Sequence, residues 1–384
     1  MSKKKILFIS PSLCYGGLEN YLITVLSLLD EKKYEMYLYT YYEDNSLLPL
    51  VPEYVKVTND LLDKHYQRNP RAFWLLLSEK LLDKLGAKNK AKKCFVRRKL
   101  FVHQKKVNQI NKAYKHQKFD IVIANSIGLS LEMAATVKAT KRFAFFHSSV
   151  DLHHETNDLI FPKYNGIIAV SQGVKDMLCS SYDNIDNKVY ILENYVDAEQ
   201  IIAKANEPIS EDIDTNRKII FCTCGRFSQE KGFDLAVESA HILKDKGVDF
   251  LWLFVGDGVL RENLKQTISK YDLTNGILIT GYKENPFPYI KLCNVYVQPS
   301  YHESYGRTIK EAIILEKPVV STDTVGGHTV LEEGKYGEIV PLNPDDIAKG
   351  IIIAKDKEYL KYDIKSNKKE KETFVKGLEE ILGI

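Results

Sequence analysis

The chain reads as an α/β protein made of two parallel-sheet domains facing each other across a cleft. Three observations lead there. Short, wholly apolar runs alternate with amphipathic helical stretches along most of the chain. The alternation breaks near Lys204–Arg217, where Asn, Glu, Pro, Ser, Asp and Thr leave little that could be buried, and then it restarts. The 384 residues are also more than one ordinary domain holds.

Taken in order, Ile6–Ile9 is a first buried strand, Pro11–Gly17 a turn and Leu18–Leu29 a helix. Glu35–Tyr41, Ile121–Ala124, Arg142–Phe146, Gly166–Val170 and Lys188–Leu192 complete the first set of strands. After the linker come strand Ile219–Cys224, helix Asp234–Lys246, strand Asp249–Val255 and helix Val259–Tyr271. Ile277–Thr280, Val295–Gln298 and Pro318–Thr322 follow as strands, with a helix over Thr308–Leu315. Such continuous apolar strands suit parallel sheets covered on both faces, hence two Rossmann-like domains over 1–200 and 201–358. The last stretch, 359–384, is charged with a stripe of Phe374, Val375, Leu378, Ile381 and Leu382. It is expected to form a helix that packs back on the first domain.

Composition is that of a soluble globular protein, with 44% hydrophobic and 27% charged residues. No apolar run approaches the roughly 18 residues of a membrane-spanning helix. The four apolar residues after Lys5 are too few for a secretory signal, so a cytoplasmic location is expected. The six cysteines show no paired metal-site spacing and read as reduced thiols. Net charge is only +3, but from Lys84 to Lys118 there are thirteen Lys or Arg residues and no Asp or Glu. Apolar residues interleave that stretch. It admits a solvated helical face or a basic amphipathic surface against an anionic membrane. No recognition module for nucleic acid accompanies it.

Chemistry should lie on loops that follow strands, since ligands of open α/β sheets bind beyond the carboxyl ends of the strands. Gly225–Gly232 is such a loop. It places Arg226 and Lys231 five residues apart between glycines and ahead of a helix. A planar fork, a point charge and free helix-end N–H groups suit a diphosphate. Gly256-Asp257-Gly258 is a second strand-to-helix turn, and Tyr15-Gly16-Gly17-Leu18-Glu19 a third, in the first domain. The richest segment is Gln298–Ala312. Glu303 precedes a helix and Glu311 lies inside it, bracketing Ser304-Tyr305-Gly306-Arg307-Thr308. Amides at that helix start can hold an anion, while carboxylates accept hydrogen bonds from sugar hydroxyls. His147 ends the apolar run Phe143–Phe146. His153 and His154 lie close to it, but without the spacing of a metal site.

These motifs, in this order and approximate spacing, resemble the retaining glycosyltransferases of the GT-B fold, family 4 (glycosyl transferases group 1). The resemblance covers essentially the whole chain and is strongest from Gly225 to Pro341, including Gly281-Tyr282, Pro299-Ser300 and Lys317-Pro318-Val319-Val320. It implies that Arg226 and Lys231 bind the donor diphosphate and support leaving-group charge. Glu311 is similar to the carboxylate that holds the ribose, and Glu303 to the one that contacts the donor sugar. Tyr282 would mark the base-binding edge. Ser304, Tyr305, Gly306, Arg307 and Thr308 would form the turn over the phosphates. Gly16 and Gly17 would face the phosphates and acceptor, with Gly256 on the donor side. His147 matches a histidine that approaches donor sugar or acceptor.

The implied activity is metal-independent transfer of a hexosyl or N-acetylhexosaminyl group, with retention. The donor is a nucleotide-diphosphate sugar, a UDP-sugar by family frequency, and no other cofactor is implied. The acceptor is a saccharide, and the basic segment suggests a lipid-linked one in surface polysaccharide or glycoconjugate assembly. Two other classes share the fold: a nucleotide-sugar epimerase, and a non-catalytic partner subunit of a transferase complex.

Overall fold

Parallel β-structure organises both halves of the protein. The structure, a computed structural model, describes residues 2–14, 16–42, 44–59, 77, 78, 81, 101, 103–147, 160–209, 211, 213 and 219–384. In the first half the strands are β1 (Lys4–Ser10), β2 (Tyr34–Thr40), β3 (Lys56–Asn59), β4 (Phe119–Ala124), β5 (Ala139–Phe146), β6 (Gly166–Ala169) and β7 (Val189–Ile191). Among the described residues they form one sheet in the order β3-β2-β1-β4-β5-β6-β7, with all pairings parallel.

The second half holds β8 (Ile219–Cys224), β9 (Phe250–Val255), β10 (Ile277–Gly281), β11 (Val295–Gln298), β12 (Val319–Thr322) and β13 (Gly337–Val340). These run in the order β10-β9-β8-β11-β12-β13, again parallel. Every residue of β9 is buried. That is why the strand reads as an unbroken apolar run: helices cover both faces of the sheet. Two neighbours of the first strand in each sheet lead the chain off in opposite directions, so the order reverses between β1 and β4 and between β8 and β11. Crevices open at such reversals, and ligands of open α/β sheets generally bind there.

Core strands and helices lie within one or two residues of the sequence expectation at most ends, as with the helices Gly17–Leu28, Phe233–Asp245 and Arg307–Ile314. β3 and β13 are the two strands that the pattern did not predict. Both are four residues long, both are sheet edges, and Lys56-Val57-Thr58-Asn59 has a single apolar residue. Edge strands need little apolar content because one side stays open.

The final helix, Ser366–Leu382, returns to the first sheet. Phe374, Leu378 and Leu382 are buried in the same cluster as Ile6, Tyr21, Leu26 and Leu192. Lys141 Nζ donates to the carbonyl of Leu382 at 3.0 Å, and Tyr34 donates its hydroxyl to Glu379 at 2.7 Å. The chain therefore crosses between the two sheets twice, and one buried side chain ties both crossings. Asn367 Oδ1 accepts from the Tyr195 hydroxyl at 3.0 Å and the Ala198 amide at 3.2 Å. Its Nδ2 donates to the Val196 carbonyl at 2.9 Å and to the Tyr362 hydroxyl at 3.0 Å. The short helix Ala198–Lys204 already packs on the second half, against the helices Phe287–Leu292 and Arg307–Ile314. Cys222, Cys224 and Cys293 are buried free thiols, and Cys14 and Cys179 are half-buried ones.

Candidate active site

Backbone chemistry first brings the loops of the second half together. After β8 the chain makes a short 3-10 turn, Gln229–Lys231, and enters the next helix through Gly232 at φ +63°. A Cβ at Gly232 would stand 1.8 Å from the Pro299 carbonyl oxygen. Only glycine allows both this left-handed conformation and this approach. The loops after β8 and β11 thus touch, and the amides of Tyr301 and His302 donate to the Glu230 carbonyl at 2.9 and 3.3 Å. Gly256 repeats the device one strand over, where a Cβ would stand 1.9 Å from the Gly225 carbonyl oxygen.

Lys231 and Glu303 meet as a result. Lys231 Nζ donates to Glu303 Oε2 at 2.8 Å, with side-chain exposures of 26% and 13%. Behind Glu303, its carbonyl accepts from the Gly326 amide at 2.8 Å. That amide lies in a helix, Val325–Leu331, whose start Thr324 caps through Gly327 N–H at 3.1 Å.

Helix Arg307–Ile314 begins after Gly306, which is left-handed at φ +85°. Ile309, Ala312 and Ile313 bury one stripe of it. Glu311 lies one turn in and is itself buried, with Arg307 Nε donating to its Oε1 at 3.1 Å. Burial pushes the Glu311 carboxyl above its ordinary range, and the Arg307 charge and hydrogen bond pull it back. Arg307 Nη1 is buried without a protein partner, so this guanidinium keeps hydrogen-bonding capacity in reserve.

Not every predicted residue presents its side chain. Tyr305 is 7% exposed and sits in the core, its phenol pushed well above the usual range by burial, with Glu193 and Glu370 adding to the rise. Its contribution to a ligand is restricted to backbone. Thr308 donates its hydroxyl to Gln298 Oε1 at 2.9 Å, which commits it to holding the loop. Gln298 in turn donates to Ser300 Oγ at 2.8 Å, and both are buried. The Ser304 carbonyl accepts from Ser171 Oγ of the first half at 2.8 Å. That contact and the close approach of Gly173 to Val325 join the two halves at one end of the cleft. Tyr282 follows β10 and is 43% exposed.

Across the cleft, Gly16 precedes helix Gly17–Leu28. A Cβ there would stand 2.3 Å from Glu19 Oε2 and 3.3 Å from Arg226 Nη2, so Arg226 reaches over to the first half. Gly17 has open space where a Cβ would go. His147, at the end of β5, packs edge-on against Tyr21 with ring centroids 4.9 Å apart. Its Nε2 and the Tyr21 hydroxyl are both buried without partners. Burial lowers the His147 pKa to about 4, so its imidazole is neutral at pH 7. Tyr15, His153, His154 and residues 84–100 lie outside the described residues.

The loop Ser171–Val174 also resembles that glycosyltransferase family's structural signatures near the interdomain junction, and Ser171 and Gly173 do join the two halves there. Sequence reasoning did not single out Gln298, Ser300, Thr324, Gly326 or Gly327 for these supporting contacts. Gln298 and Ser300 stand within the segment that carries the two glutamates, and Gly326-Gly327 leaves a trace only as a glycine pair after a buried strand. A cavity of about 480 Å³ bordered by Asp323, His328, Glu338 and Lys357 runs along β13.

Residues 204–371 match the family model of the glycosyl transferases group 1. An uncharacterized glycosyltransferase of Methanocaldococcus jannaschii is 31% identical over 170 residues, covering 44% of this chain and 42% of that protein. The N-acetylgalactosamine-N,N'-diacetylbacillosaminyl-diphospho-undecaprenol 4-alpha-N-acetylgalactosaminyltransferase of Campylobacter jejuni is 27% identical over 189 residues, 49% and 50% of the two chains. The chain spans about half the length of these curated relatives. Among solved structures, Anabaena HepE in complex with UDP and glucose superposes with a TM-score of 0.66 at 17% identity, covering 99% of this chain and 94% of that one. A variant of S. aureus TarM in complex with fondaparinux, alpha-GlcNAc-glycerol and UDP superposes with a TM-score of 0.72 at 15% identity, covering 99% and 100%. Among the described residues, no helix is long and apolar enough to cross a membrane. The facing sheets are therefore those of the GT-B fold, and residues 204–371 carry the match to the glycosyl transferases group 1 family.

Proposed function

We propose that this protein is a retaining, metal-independent glycosyltransferase. It moves a sugar from a UDP-sugar to a saccharide acceptor, lipid-linked and at the inner face of the membrane. The observation that carries the reading is the convergence of Arg226, Lys231 and Glu303 on neighbouring loops at the β8–β11 reversal, with Gly16 opposite.

In this reading Arg226 and Lys231 hold the diphosphate and stabilise its charge as the bond to the sugar breaks. The amides of Gly306, Arg307 and Thr308 add helix-end dipoles, Glu311 accepts from the ribose, and Tyr282 borders the base. Glu303 is held by Lys231 beside the sugar. The acceptor hydroxyl attacks on the leaving-group face, and a phosphate oxygen takes its proton. Two cations and free amides supply the electrostatic role that a divalent ion fills elsewhere. Approach of the two sheets excludes water and limits donor hydrolysis. UDP and glucose in the HepE complex, and the diphospho-undecaprenol substrate named for the Campylobacter enzyme, support the choice of nucleotide and acceptor class. The basic stretch 84–118 would hold the protein reversibly at an anionic surface, each cation contributing roughly 1 kcal/mol. Unchanged liposome co-sedimentation after neutralising Lys92, Lys93, Arg97 and Arg98 would remove that part.

The test is a screen of nucleotide sugars against the purified chain in EDTA, with and without a membrane-lipid fraction, reading nucleotide diphosphate release. Release from one donor that depends on the lipid fraction is expected. Release of an altered free sugar without acceptor would identify an epimerase instead. Nucleotide binding without turnover on any donor would point to a partner subunit.

A further inference from the structure

Glu19 takes no part in the reading above, yet it occupies an unusual place. It lies in the first turn of helix Gly17–Leu28, where a carboxylate favours the helix dipole. Dipole compensation alone needs no burial, and Glu19 is 8% exposed. Its Oε1 accepts from the Cys14 thiol at 3.5 Å. Its Oε2 faces the bare Cα of Gly16, and Arg226 Nη2, from the opposite domain, faces the same spot. Arg226 is otherwise an exposed side chain on a loop, with several rotatable bonds to order before it can act on a diphosphate.

We infer that Glu19 is a positioning residue for Arg226: its buried carboxylate, on the first domain, attracts and aims the guanidinium of the second domain across the cleft. The inference rests on the assignment of Arg226 to the donor diphosphate. Glu19 is held rigidly by its helix, so it offers Arg226 one direction rather than many. Gly16 makes the arrangement possible, because any side chain there would wedge between the two groups. The Gly16 backbone is extended, at φ −171°, so its lack of a side chain is a matter of space and not of conformation. The groups that face the carboxyl are Cys14, Asp44 and Arg226. Burial raises its pKa; the hydrogen bond from its own backbone amide, then the Cys14 thiol and then the Arg226 charge oppose the rise, and Asp44 adds to it. An ionised Glu19 in this setting is favoured by the very cation that it orients.

A double-mutant cycle tests the inference. Glu19→Gln keeps the shape and removes the charge. It is expected to lower kcat about tenfold, ~1.4 kcal/mol in the barrier, with the melting temperature kept. In an Arg226→Gln background the same change should have almost no further effect, because the group that it acts through is gone. Gly16→Ala should reproduce the loss by wedging. Independent, multiplying effects of Glu19→Gln and Arg226→Gln would overturn the inference, as would full turnover in Glu19→Gln. A second readout stands apart from turnover: small-angle scattering without nucleotide should give a larger radius of gyration for Glu19→Gln than for the parent. If the parent turns over no donor, the functional reading has failed, and an unchanged radius then refutes the pairing as well.

Discussion

Lys231 Nζ and Glu303 Oε2 stand 2.8 Å apart and join the loop that follows β8 to the loop that follows β11. In the proposed reaction the two partners act on different parts of the donor, one on the diphosphate and one on the sugar. Their substitutions should therefore separate. Lys231→Ala is expected to lower kcat by about 10²–10³ and to weaken UDP binding. Glu303→Gln should lower kcat with UDP affinity changed less than about twofold, since UDP carries no sugar for Glu303 to touch. Titration calorimetry with UDP beside steady-state rates checks both.

Arg307 compensates a buried carboxylate. Arg307→Ala leaves Glu311 without its cation, which should destabilise the fold by about 3 kcal/mol at pH 8. The loss should shrink towards pH 5. Without Arg307 the folded-state pKa of Glu311 rises further above the ordinary value near 4.3, so acid supplies a proton that removes the buried charge. Urea denaturation at the two pH values measures the difference.

His147 works in the other direction. Burial depresses its pKa to about 4, below the ordinary value near 6.5. Stability that depends on the neutral ring is complete above pH 6.5 and is lost as pH falls towards 4, by up to about 3 kcal/mol. His147→Gln should show a smaller loss of stability than the parent between pH 7 and pH 4.5. The same depression predicts that a pH–rate ionisation between 6 and 8 survives in this variant, since it belongs to another group.

Asn367 uses all of its side-chain hydrogen-bonding arms on the two interdomain crossings. Asn367→Ala leaves the Ala198 amide, the Val196 carbonyl and two tyrosine hydroxyls short of a partner. A cost of about 2–4 kcal/mol is expected. Asn367→Asp, which keeps the acceptors and loses the donors, should fall between parent and alanine. Chemical denaturation of the three proteins orders them.

The linear sequence by itself determined the two sheets, most of their strands, the returning helix stripe at Phe374, Leu378 and Leu382, the loops that carry Arg226, Lys231 and Glu303, and the helix that carries Glu311. Burial on both faces writes a continuous apolar run into the chain, and a ligand loop writes glycines and charges after it; both signals are local. What tertiary structure decided is non-local. The pairing of Lys231 with Glu303 depends on Gly232 approaching Pro299, far along the chain, so closely that a Cβ would stand 1.8 Å from its carbonyl oxygen. Tyr305 and Thr308 look like ligand contacts in sequence, yet one phenol is spent on the core and one hydroxyl on Gln298. Glu19 stands in the first glycine-loop motif and Asn367 in none, but in neither case does the local pattern name the partners, which come from the other domain or from the other end of the chain. β3 and β13 stayed hidden because a sheet edge asks for few apolar residues. A pattern of residues records which side chains are buried, and only the folded chain records which of them face one another.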